Sequence, residues 1–220
     1  MDKEEYGTEQ WCLTDPIRDW DRTLAHIVID LETLGLGLRP VIIAVGAVAL
    51  DTKYRVIGKF YRSIRGDRQP GRATDYDTIK WWVTKTRPAA QEAVFNDNAF
   101  SLRLAVQHFV SWATPDTKPL TNVQFWGKGP EFDNVIWRDA IECYDDSAFL
   151  QKVWTYRNNQ SLRTVELMAK SLGITVKVPD TGIAHHALHD AEWEAEYLRK
   201  AMRKILALAP KVLDTEASSA

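Results

Sequence analysis

The stretch AHIVIDLETLGLG, Ala25 to Gly37, constrains the fold more than any other part of the chain. Ile27, Val28 and Ile29 read as a strand entering a core. Asp30 and Glu32 then fall two apart, and alternation along extended backbone puts both carboxylates on one face. Like charges at that range repel, and withdrawing them from water costs more. A fold that accepts the pair must set something cationic against that strand end.

The rest of the 220 residues reads as one domain with a full core. Residues 1–22 read as a loose leader, 23–209 as the folded domain and 210–220 as a flexible tail. Strands are expected at 24–30, at Pro40–Leu50 and at Tyr54–Ile64, in a hairpin-like meander. Asp77–Phe95 is helical, with Pro88 opening a second helix. Ser101–Ala113 is amphipathic, with Leu102, Leu104, Ala105, Phe109 and Trp112 on its apolar face. Pro115–Pro119 is a turn. Asn122–Trp126 is a fourth strand, Phe132–Cys143 a helix and Val153–Tyr156 a short strand. Ser161 caps a helix that Gly173 closes, and Ala187–Leu208 is a long final helix. This order predicts an α/β fold, a mixed sheet with helices on both sides.

Composition narrows the class. No apolar run nears the roughly 18 residues of a membrane span. The start, MDKEEYGTEQ, is acidic and polar, unlike a signal peptide. Two cysteines without a CxxC pair fit a reduced, cytoplasmic setting. The net charge of −2 gives no global basic field, but Lys53–Arg87 holds ten Lys or Arg against three Asp. Arg62, Arg65, Arg68 and Arg72 are its densest part. It reads either as a solvated loop or as a groove for a polyanion.

Two more acids lie at ends of core elements: Asp133 at the start of a helix and Asp190 in the first turn of the last one. Either alone reads as a capping carboxylate. With Asp30 and Glu32 they form a quartet suited to hard divalent cations, Mg²⁺ or Mn²⁺. A pair of such ions can activate water and stabilise a leaving oxygen in phosphodiester cleavage. His185, His186 and His189 lie close to Asp190; zinc is the rival ligand, set aside because no further His or Cys stands at ligand spacing.

Three segments, DLETLG (Asp30–Gly35), FDN (Phe132–Asn134) and HHALHD (His185–Asp190), resemble the motifs of the DEDDh, or DnaQ-like, 3′–5′ exonuclease superfamily. DTIKWW (Asp77–Trp82), WGKGPEFDN (Trp126–Asn134) and LRTVEL (Leu162–Leu167) narrow the likeness to the branch of exodeoxyribonuclease VIII and the mycobacterial exoribonuclease-like proteins. Many superfamily members carry Asn four residues before the second-motif Asp; this chain has Gly129.

The resemblance implies a ribonuclease H-like fold and two ions, Mg²⁺ or Mn²⁺. Asp30, Glu32 and Asp190 would hold one ion, Asp30 bridging to a second that Asp133 reaches. His185 would be the general base, since imidazole titrates near neutral pH. Leu31, Thr33 and Leu34 would lie under the terminal nucleotide, Thr33 near its 3′-hydroxyl. Trp81 is read as either a stacking platform or core, and Arg163 as a phosphate contact or a structural ion pair. His186 reads as solvent-facing or supporting; Trp82, Trp126, Trp137, Trp154 and Trp193 read as core. The expected partners are 3′ ends of single-stranded DNA, with RNA as the alternative, and no membrane. A homodimer stays open, as ribonuclease T-like relatives are often dimers. The competing class is a non-catalytic exonuclease-like binding or accessory subunit, which need not keep all four acids and His185.

Overall fold

The computed structural model describes residues 12–17, 24–114, 122–145, 148–180 and 182–208. In chain order its elements are β1 (Cys12–Asp15), β2 (Leu24–Thr33), β3 (Ile42–Asp51), β4 (Val56–Ser63), α1 (Tyr76–Lys85), α2 (Pro88–Val94), α3 (Leu102–Ala113), β5 (Gln124–Gly127), α4 (Asp133–Tyr144), α5 (Phe149–Lys152), β6 (Asn159–Ser161), α6 (Leu162–Ser171) and α7 (Ala187–Leu206). The strands form one mixed sheet in the order β1-β4-β3-β2-β5-β6. The meander β2-β3-β4 is antiparallel, whereas β5 runs parallel to β2 and β6 parallel to β5.

Helices cover both faces, so β3 is buried along its whole length and reads IIAVGAVALD with almost no polar residue. Ile27, Ile29 and Leu31 of β2 point to the side of α3 and α4, where Phe109, Trp137 and Phe149 fill the core. Val28 points the other way, towards Ala191, Ala195 and Leu198 of α7. Period-two alternation therefore turns Asp30 and Glu32 towards α7 as well.

Two glycines set how closely helices approach the sheet. Gly46 pairs with Asp30 in the β2-β3 register. A Cβ at Gly46 would stand 2.2 Å from the Ala187 carbonyl carbon and 2.3 Å from the Leu188 nitrogen. Its hydrogen side chain lets the α7 N-terminus rest on the sheet beside Asp30. At the end of β5, a Cβ at Gly127 would meet Asn134 Oδ1 at 2.8 Å. Asn134 Nδ2 donates to the Phe125 carbonyl and to Asn159 Oδ1, tying α4 to β5 and β6.

Three expectations need correction. Cys12–Asp15, assigned to a loose leader, is an edge strand paired with β4, because Arg62 donates to the Leu13 carbonyl and to Thr14 Oγ1. Val153–Tyr156 is not a strand. Val153 N–H closes α5 on the Phe149 carbonyl, and Thr155 and Asn158 cap each other around a single 3₁₀ turn. The strand follows at β6, and Trp154 instead buries its ring on Phe125, stacked at 4.0 Å. Leu104, placed on the buried face of its helix, is exposed. Ser161 caps α6 through the Thr164 N–H, as the sequence suggests, and Gly173 follows that helix with a positive φ. The turn at Pro115–Pro119 and the tail at 210–220 lie outside the described residues.

Candidate active site

The C-terminal end of β2, the β5–α4 connection and the α7 N-terminus meet at one cleft of about 390 Å³. Asp30, Leu31, Glu32, Lys128, Phe132, Asp133, His185, Asp190, Trp193 and Glu194 line it. All four sequence-identified acids and His185 are thus in one place. Glu32, His185 and Asp190 offer ligand atoms within 4.8 Å of one another.

Each acid is placed by backbone. Asp133 opens α4, and its Oδ1 accepts from the Leu31 N–H of β2 at 3.3 Å, joining the second motif to the first. Asp190 sits in the first turn of α7, where the helix dipole favours a negative charge. Its Oδ2 accepts from the His185 N–H at 2.9 Å. His185 adopts φ 64°, a left-handed conformation that costs a non-glycine residue on the order of 1 kcal/mol. That turn, together with the Asp190 bond, aims the imidazole into the cleft. The edge of Trp81 closes on it, with ring centroids 4.7 Å apart and planes at 88°.

The acids raise one another's proton affinity. Burial, then Asp133 and Glu32, push Asp30 well above the carboxylate range. Burial, then Asp190, does the same to Glu32. Asp133 is raised by burial to about 7, against the pull of the Leu31 N–H. Asp190 is raised by burial and held back by the His185 N–H. Without a cation such a cluster is electrostatically unfavourable in its ionised form. Hard carboxylate oxygens with one imidazole suit Mg²⁺ or Mn²⁺, and the residues present fit those ions.

The substrate-contact expectations fare unevenly. Leu31 lines the cleft. Thr33 is buried, its hydroxyl donates to the Gly35 carbonyl at 2.7 Å, and its own carbonyl accepts from Trp82 Nε1. Leu34 is half-buried against the α7-side core. Neither of these two lines the cleft. Trp81 is 37% exposed, so of its two readings core is excluded, while Trp82 is core. Arg163 is exposed, with its guanidinium about 4 Å from the position a Gly129 Cβ would take, at the cleft's lip.

The basic run does not form a groove. Arg62 is buried, donating to His108 Nδ1 and to backbone carbonyls. The Arg72 side chain is buried and pairs with Asp139 at 2.7 Å. Arg65 chelates Asp67. Arg65 and Arg68 are both exposed, and both lie beside Asp67. Neighbours in sequence are turned by β4 and the following loop into separate structural pairs.

Other residues at the cleft escaped the sequence reading. Trp193, read as core, is half-buried in the cleft wall, and Lys128 Nζ lies 4.8 Å above its ring. His186, read as solvent-facing or supporting, is buried, stacked between Tyr61 and His189, and lowered by burial to about 4. Glu194 is a fifth acid. Its signal was present in sequence: the buried stripe of α7 runs Ala187, Ala191, Glu194, Ala195, Leu198, and a glutamate interrupts it.

Comparison with known proteins agrees with this geometry. The model of the 3′-5′ exoribonuclease Rv2179c-like domain matches residues 25–202. An exodeoxyribonuclease of enterobacteria phage T4 is 23% identical over 206 residues, covering 82% of this chain and 90% of that protein. Among solved structures, an E. coli exonuclease I complex with single-stranded DNA and zinc ion superposes with a TM-score of 0.60 at 15% identity, over 88% of this chain and 43% of that one. Cell-death related nuclease 4 gives 0.54 at 15% identity, over 83% and 65%. The chain thus spans less than half of exonuclease I, with which it shares a ribonuclease H-like fold. Since the family model takes in all three motifs and the cleft they build, the chain belongs to the 3′-5′ exoribonuclease Rv2179c-like domain family and is a 3′–5′ exonuclease, a hydrolase whose family implies divalent-metal dependence.

Proposed function

We propose that the protein hydrolyses single-stranded DNA from its 3′ end, releasing nucleoside 5′-monophosphates with two Mg²⁺ or Mn²⁺ ions. The observation that carries this reading is the closeness of Glu32, His185 and Asp190, whose ligand atoms lie within 4.8 Å. Asp30, Glu32 and Asp190 would hold one ion, and Asp30 and Asp133 the other. When bound, the ions supply charge for the attacking water and for the leaving oxygen. His185 takes the proton of that water; the Asp190 bond to its N–H and the Trp81 edge hold it in place. Leu31 lies under the terminal nucleotide, and Trp81 flanks it. Thr33, with its hydroxyl on the Gly35 carbonyl and its own carbonyl accepting from Trp82 Nε1, secures the end of β2 behind the cleft. Arg163 and Lys128 meet phosphates at the two lips of the cleft.

DNA is chosen over RNA because the phage T4 relative is named an exodeoxyribonuclease and the exonuclease I structure holds single-stranded DNA. The family's own description names an exoribonuclease, so both polymers belong in the assay. Single-stranded DNA and RNA of equal sequence, labelled at the 5′ end, are incubated with Mn²⁺ or Mg²⁺, with and without EDTA. The expected result is a ladder shortening from the 3′ end, faster on DNA, absent in EDTA and absent for Asp190→Asn. First release of the label as a mononucleotide refutes the polarity, and faster decay of RNA refutes the substrate choice.

A further inference from the structure

Glu194 stands out among the buried polar groups of the molecule. It is 3% exposed, and its Oε2 has no hydrogen-bond partner among the described residues. It lies four residues, one helical turn, after Asp190, so α7 carries both carboxylates on one face. Both line the cleft that holds Asp30, Glu32 and Asp133. No Lys or Arg of the described residues forms an ion pair with it; Lys128 of the cleft lies over the Trp193 ring and acts on Glu194 only through space. An orphaned carboxylate oxygen in a buried site carries a desolvation cost that no hydrogen bond offsets, and more so when charged. α7 could bury alanine or leucine there, as it does at neighbouring turns.

Among its charged neighbours Asp133 acts on it most strongly, followed by Lys128 and Asp190, and it in turn acts on Asp30. Glu194 therefore faces the same acid cluster that lines the cleft.

We propose that Glu194 is a fifth carboxylate of the ion centre, a positioning residue whose free Oε2 accepts hydrogen bonds from the water shell of the ions that the cleft acids would hold. This rests on the two-ion reading above. Mg²⁺ and Mn²⁺ sites with few protein ligands keep several waters, and each such water needs an acceptor. Residues that orient a metal's shell in this way typically contribute 10–100-fold in affinity.

The test measures Mn²⁺ binding to the full chain by calorimetry, without nucleic acid, for wild type, Glu194→Gln and Asp190→Asn. The glutamine keeps the volume and removes the charge, so the fold is retained; thermal unfolding in EDTA checks this. The expected result is 10–100-fold weaker Mn²⁺ binding in Glu194→Gln, and a smaller rise in Tm on adding Mn²⁺. Wild-type affinity in Glu194→Gln alongside lost affinity in Asp190→Asn would overturn the role of Glu194 and leave the ion centre standing. Unchanged affinity in both variants would overturn the ion centre itself. Should Glu194→Gln unfold in EDTA, Glu194→Asp replaces it. The shortened carboxylate keeps the charge, and for it, too, undiminished Mn²⁺ affinity would overturn the proposal.

Discussion

Gly46→Ala separates the seating of α7 from the charges it carries. An added methyl would stand 2.2–2.3 Å from backbone atoms of Ala187 and Leu188. Carbon atoms prefer a separation of ~3.5–4 Å, so the α7 N-terminus would have to retreat by more than about 1 Å. The obstacle is backbone, which cannot swing aside as a flexible side chain would. Overpacking of this kind costs about 1–3 kcal/mol, and in a chain of this size each kcal/mol lowers Tm by roughly 2–4 °C. Asp190 and His185 travel with that end of α7, and a misplacement of about 1 Å can cost on the order of 10²-fold in rate. Thermal unfolding and 3′-end cleavage of labelled single strands read the two effects separately. Gly37→Ala is the control: nothing lies within 4 Å of its added Cβ, so Tm should not move. Wild-type Tm and rate in Gly46→Ala would refute the close seating of α7 on β3.

His185→Ala should lower kcat by about 10²–10⁴-fold with Mn²⁺ affinity little changed, whereas His186→Ala, which removes a ring from the Tyr61–His189 stack, should chiefly lower Tm; stopped-flow kinetics and calorimetry distinguish them, and the reverse pattern refutes the assignment. In EDTA, Asp133 holds a proton up to about pH 7 that the unfolded chain, with a carboxylate near 3.8, releases earlier. That stabilisation is whole below about pH 4 and lost as pH rises through about 7. His26 and His186, both lowered to about 4 by burial from 6.5, act oppositely: their contribution is whole above about pH 6.5 and lost as pH falls through about 4. They cancel between wild type and Asp133→Asn, so Tm of wild type minus variant should fall from pH 4 to 7, and a flat difference would refute the raised acid. With Arg62 and the Arg72 side chain buried and Arg65 and Arg68 set against Asp67, about two cations, Lys128 and Arg163, face the strand. The slope of log K against log salt should therefore be near about −1.4 for single-stranded DNA. Anisotropy of a labelled oligonucleotide on Asp190→Asn protein checks this; a slope steeper than about −4 would restore the run as a groove.

What the sequence made legible was carried by short-range rules. Alternation put Asp30 and Glu32 on one face, Pro88 opened a helix, and Ser161 capped another, because each depends on local backbone chemistry. What it hid depends on partners distant in sequence. Arg62 reads as part of a basic strip until β4 turns it towards Leu13, Thr14 and His108. Cys12–Asp15 has no strand signature of its own and is a strand only through pairing with β4. Trp193 looks like core by residue type, but its position on α7 faces the cleft beside Lys128. Glu194 is visible in the helical period of α7 as the one charged residue of its buried stripe, but it belongs to none of the three motifs.

The acid cluster keeps its geometry by means that do not involve an ion. Gly46 seats α7, Gly127 and Asn134 seat α4, and a left-handed turn seats His185. Removing a charge at the cleft should therefore relieve repulsion without dispersing the other groups. The same burial that makes this organisation rigid raises the proton affinity of Asp30, Glu32, Asp133, Asp190 and Glu194. Protons and divalent ions then compete for one set of oxygens. At limiting metal, activity should rise with pH through the neutral range because ion occupancy rises, apart from any change at His185. Saturating metal should shift that rise to lower pH, and a profile insensitive to metal concentration would assign it to the base alone.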